Sequence, residues 1–430
     1  MTQSAFLFRD NLESTDLYCE DVLLSGIAKE FGTPLYVYSE SQLLSDFRRF
    51  RDSLSAAKGS YVSYAVKANS NPEILRLLAN ENAGASVVSG GELLAALAAG
   101  FIPSRITFDG PGKTDEEILL ALQSDIFAID IESKQELEVV NELASSLHKK
   151  APICIRVNPH IDAKTHPYIS TGLSHNKFGI PFEDAKDAFV VANSLPNIEI
   201  IGIHCHIGSQ IVTVEPFVEA ARSLVGFIAE LSAQSGIDIK HINFGGGIGI
   251  DYHSTVTHDQ IPESVQTAAP FSVEEFSAAI IPILSSSGCT YNFEPGRAII
   301  ANAGVIVSKT LYTKTNGEKN FAIIDASMTD LIRPSLYHAF HQIVPLHLAE
   351  ESSQINYDIV GPVCESSDFL AQDRVMAPLE RGDLLAILST GAYGYVLASN
   401  YNLRPRAAEV LVCGSTCRII RERENILEII

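Results

Sequence analysis

The sequence predicts an α/β fold, a (β/α)8 barrel of the TIM type, followed by a second domain that is mainly β. Between about residues 60 and 300, short β-rich apolar runs alternate with turns and amphipathic helical stretches, which is the rhythm of βα units. There are eight such runs, the number that closes a parallel sheet into a barrel. After Gly304 the helical stretches stop and strand-like runs take over.

Reactive residue types follow the ends of these runs. In chain order the runs are YVSYAV, ASVV, RITF, IFAID, APICIRV, IEIIGIHCHI, HINF and YNF. Lys67, His206, Gly245 and Glu294 lie at their carboxyl ends, the face on which a (β/α)8 barrel carries its active site. A doubly wound sheet is the alternative, and it would need a reversal of strand order that one sequence does not show.

The predicted barrel domain extends over residues 36–303. Residues 304–430 and the N-terminal segment 1–35, which has no βα rhythm, are predicted to build a β-sandwich or barrel-like domain. The polar segment from His253 to Pro270 carries turn signals and is expected to be a surface loop.

Composition makes several classes of protein improbable. Of the 430 residues, 52 are acidic and 31 are basic, and no run of Lys or Arg offers a surface for nucleic acid or anionic membrane. No apolar run is long enough to span a membrane and no secretory signal begins the chain, so a cytoplasmic location is predicted. The seven cysteines include no CxxC pair, which argues against disulfides and structural zinc.

Lys67 and a glycine run suggest a cofactor with an aldehyde and a phosphate. A Lys67 walled off from water at its strand end would offer a neutral amine for a Schiff base; a lysine reaching out to solvent is the alternative. Gly245, Gly246 and Gly247 in HINFGGGIGI would let backbone N–H groups approach a phosphate, although a tight turn would use the same glycines.

Two further motifs fit a pyridine ring. In EPGR, Glu294 offers a carboxylate that favours a protonated pyridine nitrogen, and Arg297 suits a phosphate or carboxylate; a surface ion pair is the alternative. In HCHIGSQ, His206 is predicted to stack on a flat ring with Ser209 near the phosphate, and His204 to be a core histidine. No third ligand has matching spacing, so no metal is predicted.

The β domain contributes short segments marked by Gly and Pro that carry polar side chains. These segments, MTDLIRPSLY, GPVCESSDF and GAYGYVLASNYN, predict a polar pocket made by Arg333, Tyr337, Cys364, Glu365 and Tyr393.

Taken together, the motifs resemble the diaminopimelate decarboxylase family of alanine-racemase-like enzymes that use pyridoxal 5'-phosphate (PLP). They are YAVKAN, VVSGGEL, HPYISTGLSHNKFGI, GIHCHIGSQI, FGGGIGI, EPGRAI, DLIRPSLYHAFH, GPVCESSDFLAQDR and GAYGYVLASNYNLRPR, and they span nearly the whole chain. The resemblance implies decarboxylation of meso-2,6-diaminopimelate to L-lysine and CO2, which is the last step of lysine biosynthesis by the diaminopimelate pathway. It also implies a homodimer with active sites shared across the interface.

The resemblance assigns roles by motif. For the cofactor it implies Lys67 as the Schiff-base lysine, Glu294 as the pyridinium partner, His206 as the stacking ring, and a phosphate site at Ser209, Gly245, Gly246, Gly247, Gly296 and Arg297. For the substrate it implies carboxylate contacts from Arg297, Arg333 and Tyr337, an amine contact from Glu365, Tyr393 near both molecules, and Cys364 as a proton donor from the partner subunit.

One departure and three alternatives remain. Ser86 stands in GASVVSGGEL where the family often has Asp, which weakens any role for a carboxylate supporting the histidine. A decarboxylase of ornithine, arginine or lysine would prefer an acid to Arg333 at the far end of its substrate. A racemase would leave the extra carboxylate sites unexplained, and a regulatory homologue without activity would have no need of Lys67.

Overall fold

A computed structural model describes residues 4–10, 14–161, 176–253, 256, 270–348 and 353–430. The chain divides into two compact units. The barrel unit contains Phe47–Gly249 and Pro270–Gly296, and the sheet unit contains Met1–Asp46, Ile250–Ala269 and Arg297–Ile430. These bounds differ from the predicted domains at both ends of the barrel. Most of the expected loop from His253 to Pro270 lies outside the described residues.

The described strands, in chain order, are β1 (Phe6–Asp10), β2 (Thr15–Cys19), β3 (Val22–Leu23), β4 (Leu35–Ser39), β5 (Tyr61–Ala65), β6 (Gly84–Val87), β7 (Ile106–Phe108), β8 (Ala128–Ile131), β9 (Ala151–Asn158), β10 (Ile180–Pro181), β11 (Ile198–His204), β12 (His241–Asn243), β13 (Thr290–Phe293), β14 (Gly304–Asn316), β15 (Lys319–Ile324), β16 (Ile343–Pro345), β17 (His347–Leu348), β18 (Ile355–Val360), β19 (Phe369–Met376), β20 (Leu384–Ile387), β21 (Ala408–Cys413) and β22 (Thr416–Arg421).

The described α-helices are α1 (Leu24–Phe31), α2 (Glu40–Ser53), α3 (Pro72–Asn80), α4 (Gly90–Ala99), α5 (Asp115–Gln123), α6 (Lys134–Ser146), α7 (Phe182–Ser194), α8 (Glu215–Ser235), α9 (Val273–Ser285), α10 (Arg297–Ile300), α11 (Arg333–Tyr337) and α12 (Ile426–Ile429). Within the described ranges, none of these helices combines the length and the apolar character that crossing a membrane requires.

The predicted (β/α)8 barrel is confirmed in the barrel unit. Eight parallel strands pair in the order β5, β6, β7, β8, β9, β11, β12, β13, and β13 pairs with β5 to close the ring. Each of these strands lies within, or just beside, one of the eight predicted runs. Because strands buried on both faces need no polar alternation, their sequences read as nearly continuous apolar runs.

Several helices between these strands begin at a residue whose side chain caps them, whereas α7 and α8 begin without a side-chain cap. Ser89 caps α4 by accepting a hydrogen bond from the backbone N–H of Glu92, and Ser272 with Glu275 forms a reciprocal capping box on α9. The apolar stripes of α3 and α9 are buried, for example through Leu75 and Phe276. In the capped helices, the cap therefore fixes the residue at which the helix begins after the preceding strand.

The sheet unit confirms the separate β domain. Its main sheet runs β19, β18, β15, β14, β4, β21, β22, with β20 also paired to β14 and β16 paired to β20, while β1, β2, β3 and β17 form a smaller sheet. β4 begins at the last residue of the predicted N-terminal segment, and it lies antiparallel to β14 and parallel to β21. The buried core includes Phe6, Leu17, Leu24, Leu35, Val37, Val305, Val307, Ala386 and Val410. β4 is a central strand of this sheet and contains residue 36. The predicted domain boundary at residue 36 therefore falls inside the sheet unit.

Candidate functional site

Lys67 lies just beyond the end of β5, in the short 3-10 turn Val66–Ala68. Its neighbours Val66 and Ala68 are fully buried, whereas the Lys67 side chain is exposed. Of the two alternatives for this lysine, walled off from water or reaching out to solvent, the exposed side chain matches the second, because the flanking residues occupy the inward positions of the turn. The charge of Lys67 nevertheless reaches two neighbours: burial, and then this charge, lower the pKa of His206, and the same charge opposes the increase in the pKa of Glu294.

Glu294 follows β13 and is buried within the barrel. Its Oε1 accepts hydrogen bonds from the Thr107 hydroxyl and from Asn243 Nδ2, both at 2.8 Å. These two donors come from β7 and β12, so side chains from different strands fix the orientation of the carboxyl group.

Glu294 shares the barrel interior with a second group of buried polar residues. His204 Nδ1 lies 2.7 Å from Asp130 Oδ2 and 3.7 Å from Asp109 Oδ1, and Asn243 Nδ2 donates to Asp130 Oδ2 at 2.9 Å. His204 was expected to be an ordinary core histidine. It is buried as expected, but it lies among carboxyl groups rather than apolar side chains.

The pKa values of this cluster are strongly shifted. Burial lowers the pKa of His204 to about 3, so the imidazole is neutral at pH 7. Burial, and then the nearby charge of Asp109, raise the pKa of Glu294 to about 8. Burial and the same charge also raise the pKa of Asp130. The ligand atoms of Asp109, Asp130 and His204 lie within 4.8 Å of one another, and we interpret this group as one that shares protons.

The pKa of Glu294 predicts a pH effect on the cofactor-free protein. Glu294 keeps its proton in the folded state up to about pH 8, whereas the unfolded chain releases it near the ordinary value of 4.5. Since the unfolded state binds fewer protons between these values, Glu294 makes stability fall as pH rises through them. We expect the melting temperature to fall by a few degrees more between pH 5 and 8 in the wild type than in Glu294→Gln. Parallel melting curves for the two proteins would contradict this assignment.

A glycine turn follows β12 beside His206. A Cβ on Gly246 would lie 2.1 Å from the carbonyl oxygen of Glu294, and one on Gly247, whose φ is +103°, would lie 2.1 Å from that of Gly208. Only glycine fits at these positions. The backbone N–H of Gly246 donates to His206 Nδ1 at 3.1 Å, so the turn also orients the partly buried imidazole.

The sheet unit brings two predicted arginines together around a tyrosine. Arg297 Nη1 donates to the Tyr252 hydroxyl at 2.6 Å, and the guanidinium of Arg333 lies 4.7 Å from the centre of the Tyr252 ring. Arg297 also lies over the ring of Tyr393, at 4.8 Å. Burial opposes ionisation of Tyr252, but the two guanidinium charges outweigh it and lower the pKa of the phenol. The local field is therefore strongly positive.

Arg333 is held by a buried histidine. Its Nη1 lies 2.7 Å from His341 Nε2, and His341 Nδ1 lies 2.8 Å from the carbonyl oxygen of Leu388. Because a carbonyl only accepts and a guanidinium only donates, the proton of His341 is on Nδ1. Burial, and then the charge of Arg333, lower the pKa of this imidazole well below its usual value.

The remaining predicted residues of the sheet unit differ in exposure. Tyr393 is half-buried with φ +56°, a left-handed conformation that a tyrosine rarely adopts and that often marks a functional position. Tyr337 is half-buried at the end of α11. Cys364 and Glu365 are exposed, and the Cys364 N–H donates to Asn402 Oδ1 at 3.0 Å.

Sequence reasoning missed several residues of these clusters. Asp109, Asp130 and Asn243 come from three strands far apart in the chain, and no local motif joins them. Tyr252 and His341 had a weak signal, since Tyr252 directly follows FGGGIGID and His341 ends SLYHAFH.

Known proteins similar to this chain are pyridoxal-dependent decarboxylases. The family described as pyridoxal-dependent decarboxylase, pyridoxal binding domain, matches residues 40–301. The diaminopimelate decarboxylase of Vibrio cholerae is 47% identical over 418 residues, covering 96% of this chain and 95% of that protein. The one from Aquifex aeolicus is 45% identical over 410 residues, covering 95% of this chain and 94% of that protein.

Solved structures show the same relationship. Diaminopimelate decarboxylase from Helicobacter pylori, complexed with L-lysine, has a TM-score of 0.87 and 40% identity, and the match covers 94% of this chain and 98% of that one. The enzyme from M. jannaschii, also with L-lysine, has a TM-score of 0.89 and 36% identity, with 99% and 96% covered. On this similarity in sequence and structure, the chain belongs to the diaminopimelate decarboxylase family of pyridoxal-dependent decarboxylases.

Proposed function

We propose that this enzyme converts meso-2,6-diaminopimelate to L-lysine and CO2 with the help of PLP. The proposal rests on sequence identities of 45% and 47% to two diaminopimelate decarboxylases over nearly the whole chain. The buried arginine pair of the sheet unit supports it, because diaminopimelate has a carboxylate at each end and lysine only one.

The barrel residues fit PLP. The turn at Gly245–Gly247 presents backbone rather than side chains, which suits a phosphate, and Glu294 is a buried carboxyl group with an elevated pKa, which suits a pyridine nitrogen that must keep its proton. When bound, PLP supplies the electron sink that makes loss of CO2 from an amino acid possible.

The protein's part is to place groups around that cofactor. Lys67 supplies the amine that links the cofactor to the chain. Glu294, a stronger base than an ordinary glutamate because of burial and the charge of Asp109, holds the proton of the pyridine nitrogen. His206, oriented by the Gly246 N–H, supplies a flat ring for stacking.

The arginines supply the contacts for substrate carboxylates. Arg297 and Arg333 are both buried, so a carboxylate bound to either would be shielded from water and its charge-assisted hydrogen bonds strengthened. We assign the distal carboxylate of the substrate to Arg333, with Tyr337 beside it at the other end of α11, and the distal amine to Glu365.

The proposal is tested by comparing substrates. Purified enzyme loaded with PLP is incubated separately with meso-diaminopimelate, L-lysine, L-ornithine and L-arginine, and the release of CO2 is measured. We expect diaminopimelate to be strongly preferred, since only it offers Arg333 a carboxylate. Equal or faster release from one of the other three would instead support a decarboxylase of another basic amino acid.

The proposal includes a cytoplasmic homodimer in which Cys364 of one subunit serves the site of the other. Cys364 and Glu365 are exposed, as residues offered to a partner subunit must be. Cys364 then delivers the proton that replaces the departing carboxylate.

Mixing inactive subunits tests the shared site. Lys67→Ala and Cys364→Ala homodimers are each expected to be inactive. If sites are shared, a hybrid dimer contains one site with both residues intact, so mixing should restore up to about a quarter of wild-type activity with random subunit exchange. No recovery, with exchange shown by mass spectrometry, would contradict the shared site.

A further inference from the structure

Position 86 is where this chain departs from the family it resembles. Ser86 is buried on β6. Its hydroxyl donates a hydrogen bond to Oδ2 of Asp109, which directly follows β7, and the two strands pair in parallel with Ser86 opposite Thr107. A carboxylate is therefore present beside position 86, but the neighbouring strand supplies it.

Asp109 lies in one cluster of buried polar groups with Glu294. Asp109 Oδ1 lies 3.7 Å from His204 Nδ1, and the same nitrogen lies 2.7 Å from Asp130 Oδ2. Asn243 Nδ2 then donates both to Asp130 Oδ2 at 2.9 Å and to Glu294 Oε1 at 2.8 Å. Asp109, Asp130, His204 and Asn243 are buried, so solvent does little to screen these interactions.

We propose that Asp109, oriented by Ser86, is a positioning residue for the cofactor. Its carboxylate accepts a hydrogen bond from Ser86 and its charge acts on Glu294, the carboxyl group that Asn243 links to Asp130 in the same buried cluster. The inference rests on PLP being the cofactor that Glu294 holds, and not on which amino acid is decarboxylated.

The charges in the cluster favour a carboxylate at position 109 together with an uncharged residue at position 86. Burial opposes ionisation of Asp109, but its contacts with His204, Asp130, Lys67 and Ser86 together lower its pKa. Burial, and then the charge of Asp109, raise the pKa of Asp130. A third carboxyl group at position 86 would have to be buried beside them at high cost. A serine at 86, which donates to Asp109, fits the cluster.

A purely structural role for the Ser86–Asp109 pair makes a different prediction. If the pair only filled the barrel interior, changing it would alter stability but not the affinity for PLP, and exchanging the two residues would have no special effect. If Asp109 acts through Glu294, removing the charge of Asp109 should weaken PLP binding. Placing the carboxylate at position 86 instead should restore PLP binding.

The test measures two properties of the cofactor-free protein, its melting temperature and its dissociation constant for PLP by absorbance titration. We expect the nearly isosteric Asp109→Asn to weaken PLP binding by about tenfold or more, as loss of a charged hydrogen-bond partner does. Asp109→Ser should behave similarly. The exchange Ser86→Asp with Asp109→Ser should return the dissociation constant to within about threefold of wild type. Ser63→Ala is the matched control, because this buried barrel serine bonds Asn292 and not the Glu294 cluster.

Each outcome decides the question. Wild-type affinity for PLP in Asp109→Asn would overturn the proposal, as would a folded exchange variant that binds no better than Asp109→Ser. Should the exchange variant not fold, Asp109→Asn compared with Ser63→Ala decides by itself, since only the former should lose affinity. A failure to decarboxylate diaminopimelate would leave these dissociation constants unchanged, so it is distinguishable from failure of this inference.

Discussion

Lys67→Ala is expected to abolish both decarboxylation and the visible absorbance of the lysine-linked cofactor. The reason is chemical: that absorbance requires a Schiff base, and Lys67 is the lysine at a barrel strand end whose charge acts on His206, Asp109 and Glu294. The measurement is an absorption spectrum of the purified variant after incubation with PLP and removal of the excess.

Lys134→Ala is the matched control for this experiment. Lys134 is an exposed lysine on α6 of the same unit, and its removal should leave both spectrum and activity unchanged. A visible band of wild-type intensity in Lys67→Ala would mean that a different lysine forms the link, and the assignment of the cofactor site would be wrong.

The second large effect concerns the substrate. Arg333→Ala should lower kcat/KM for meso-diaminopimelate by roughly 30-fold or more while leaving the cofactor spectrum intact, because a bidentate charge-assisted pair to a buried carboxylate is lost. Lysine, which lacks that carboxylate, should remain a poor substrate and lose much less. Steady-state kinetics with both compounds measure the difference.

Two variants sharpen this result. Arg333→Lys keeps the charge but loses the planar pair of donors, and should fall between wild type and Arg333→Ala. Arg381→Ala removes an exposed arginine that packs over Tyr312 in the same unit, and should change neither substrate's kinetics. If Arg333→Ala handled diaminopimelate and lysine as the wild type does, a broader basic-amino-acid decarboxylase would become the better interpretation.

The sequence was sufficient to predict the barrel because its signals are local. Each strand is a short apolar run, several of the following helices begin at a cap such as Ser89 or Ser272, and eight repeats suffice to close the ring. The β domain was likewise visible as a change from helical to strand-like rhythm after Gly304. The boundary at residue 36 was misplaced because the apolar run LYVYS, which became β4, gives no sign of which sheet it joins.

The candidate site was predictable only where a residue belongs to a distinctive motif. Lys67, Glu294 and Arg297 stand in such motifs, whereas Asp109, Asp130 and Asn243 do not. Their importance comes from contacts of 2.7–3.7 Å between residues of different strands, which depend on the closed barrel. The exposure of Lys67 was also unpredictable, since it depends on which residues of the turn Val66–Ala68 face inward.

The structure shows a hydrogen-bond partner for Ser86 that the sequence alone did not indicate. By sequence alone, Ser86 weakened the case for a carboxylate that supports the predicted stacking histidine, His206. In the structure the Ser86 hydroxyl bonds Asp109, whose carboxylate lies 3.7 Å from Nδ1 of a different histidine, His204.

The most direct test of the central claim is the reaction itself. Purified protein with PLP is given meso-diaminopimelate, and L-lysine and CO2 are quantified together over time. We predict that both products form in equal amounts as diaminopimelate disappears, and that neither forms with Lys67→Ala. Consumption of diaminopimelate without lysine, or no turnover by a wild-type protein that shows the visible band of bound PLP, would contradict the proposed function.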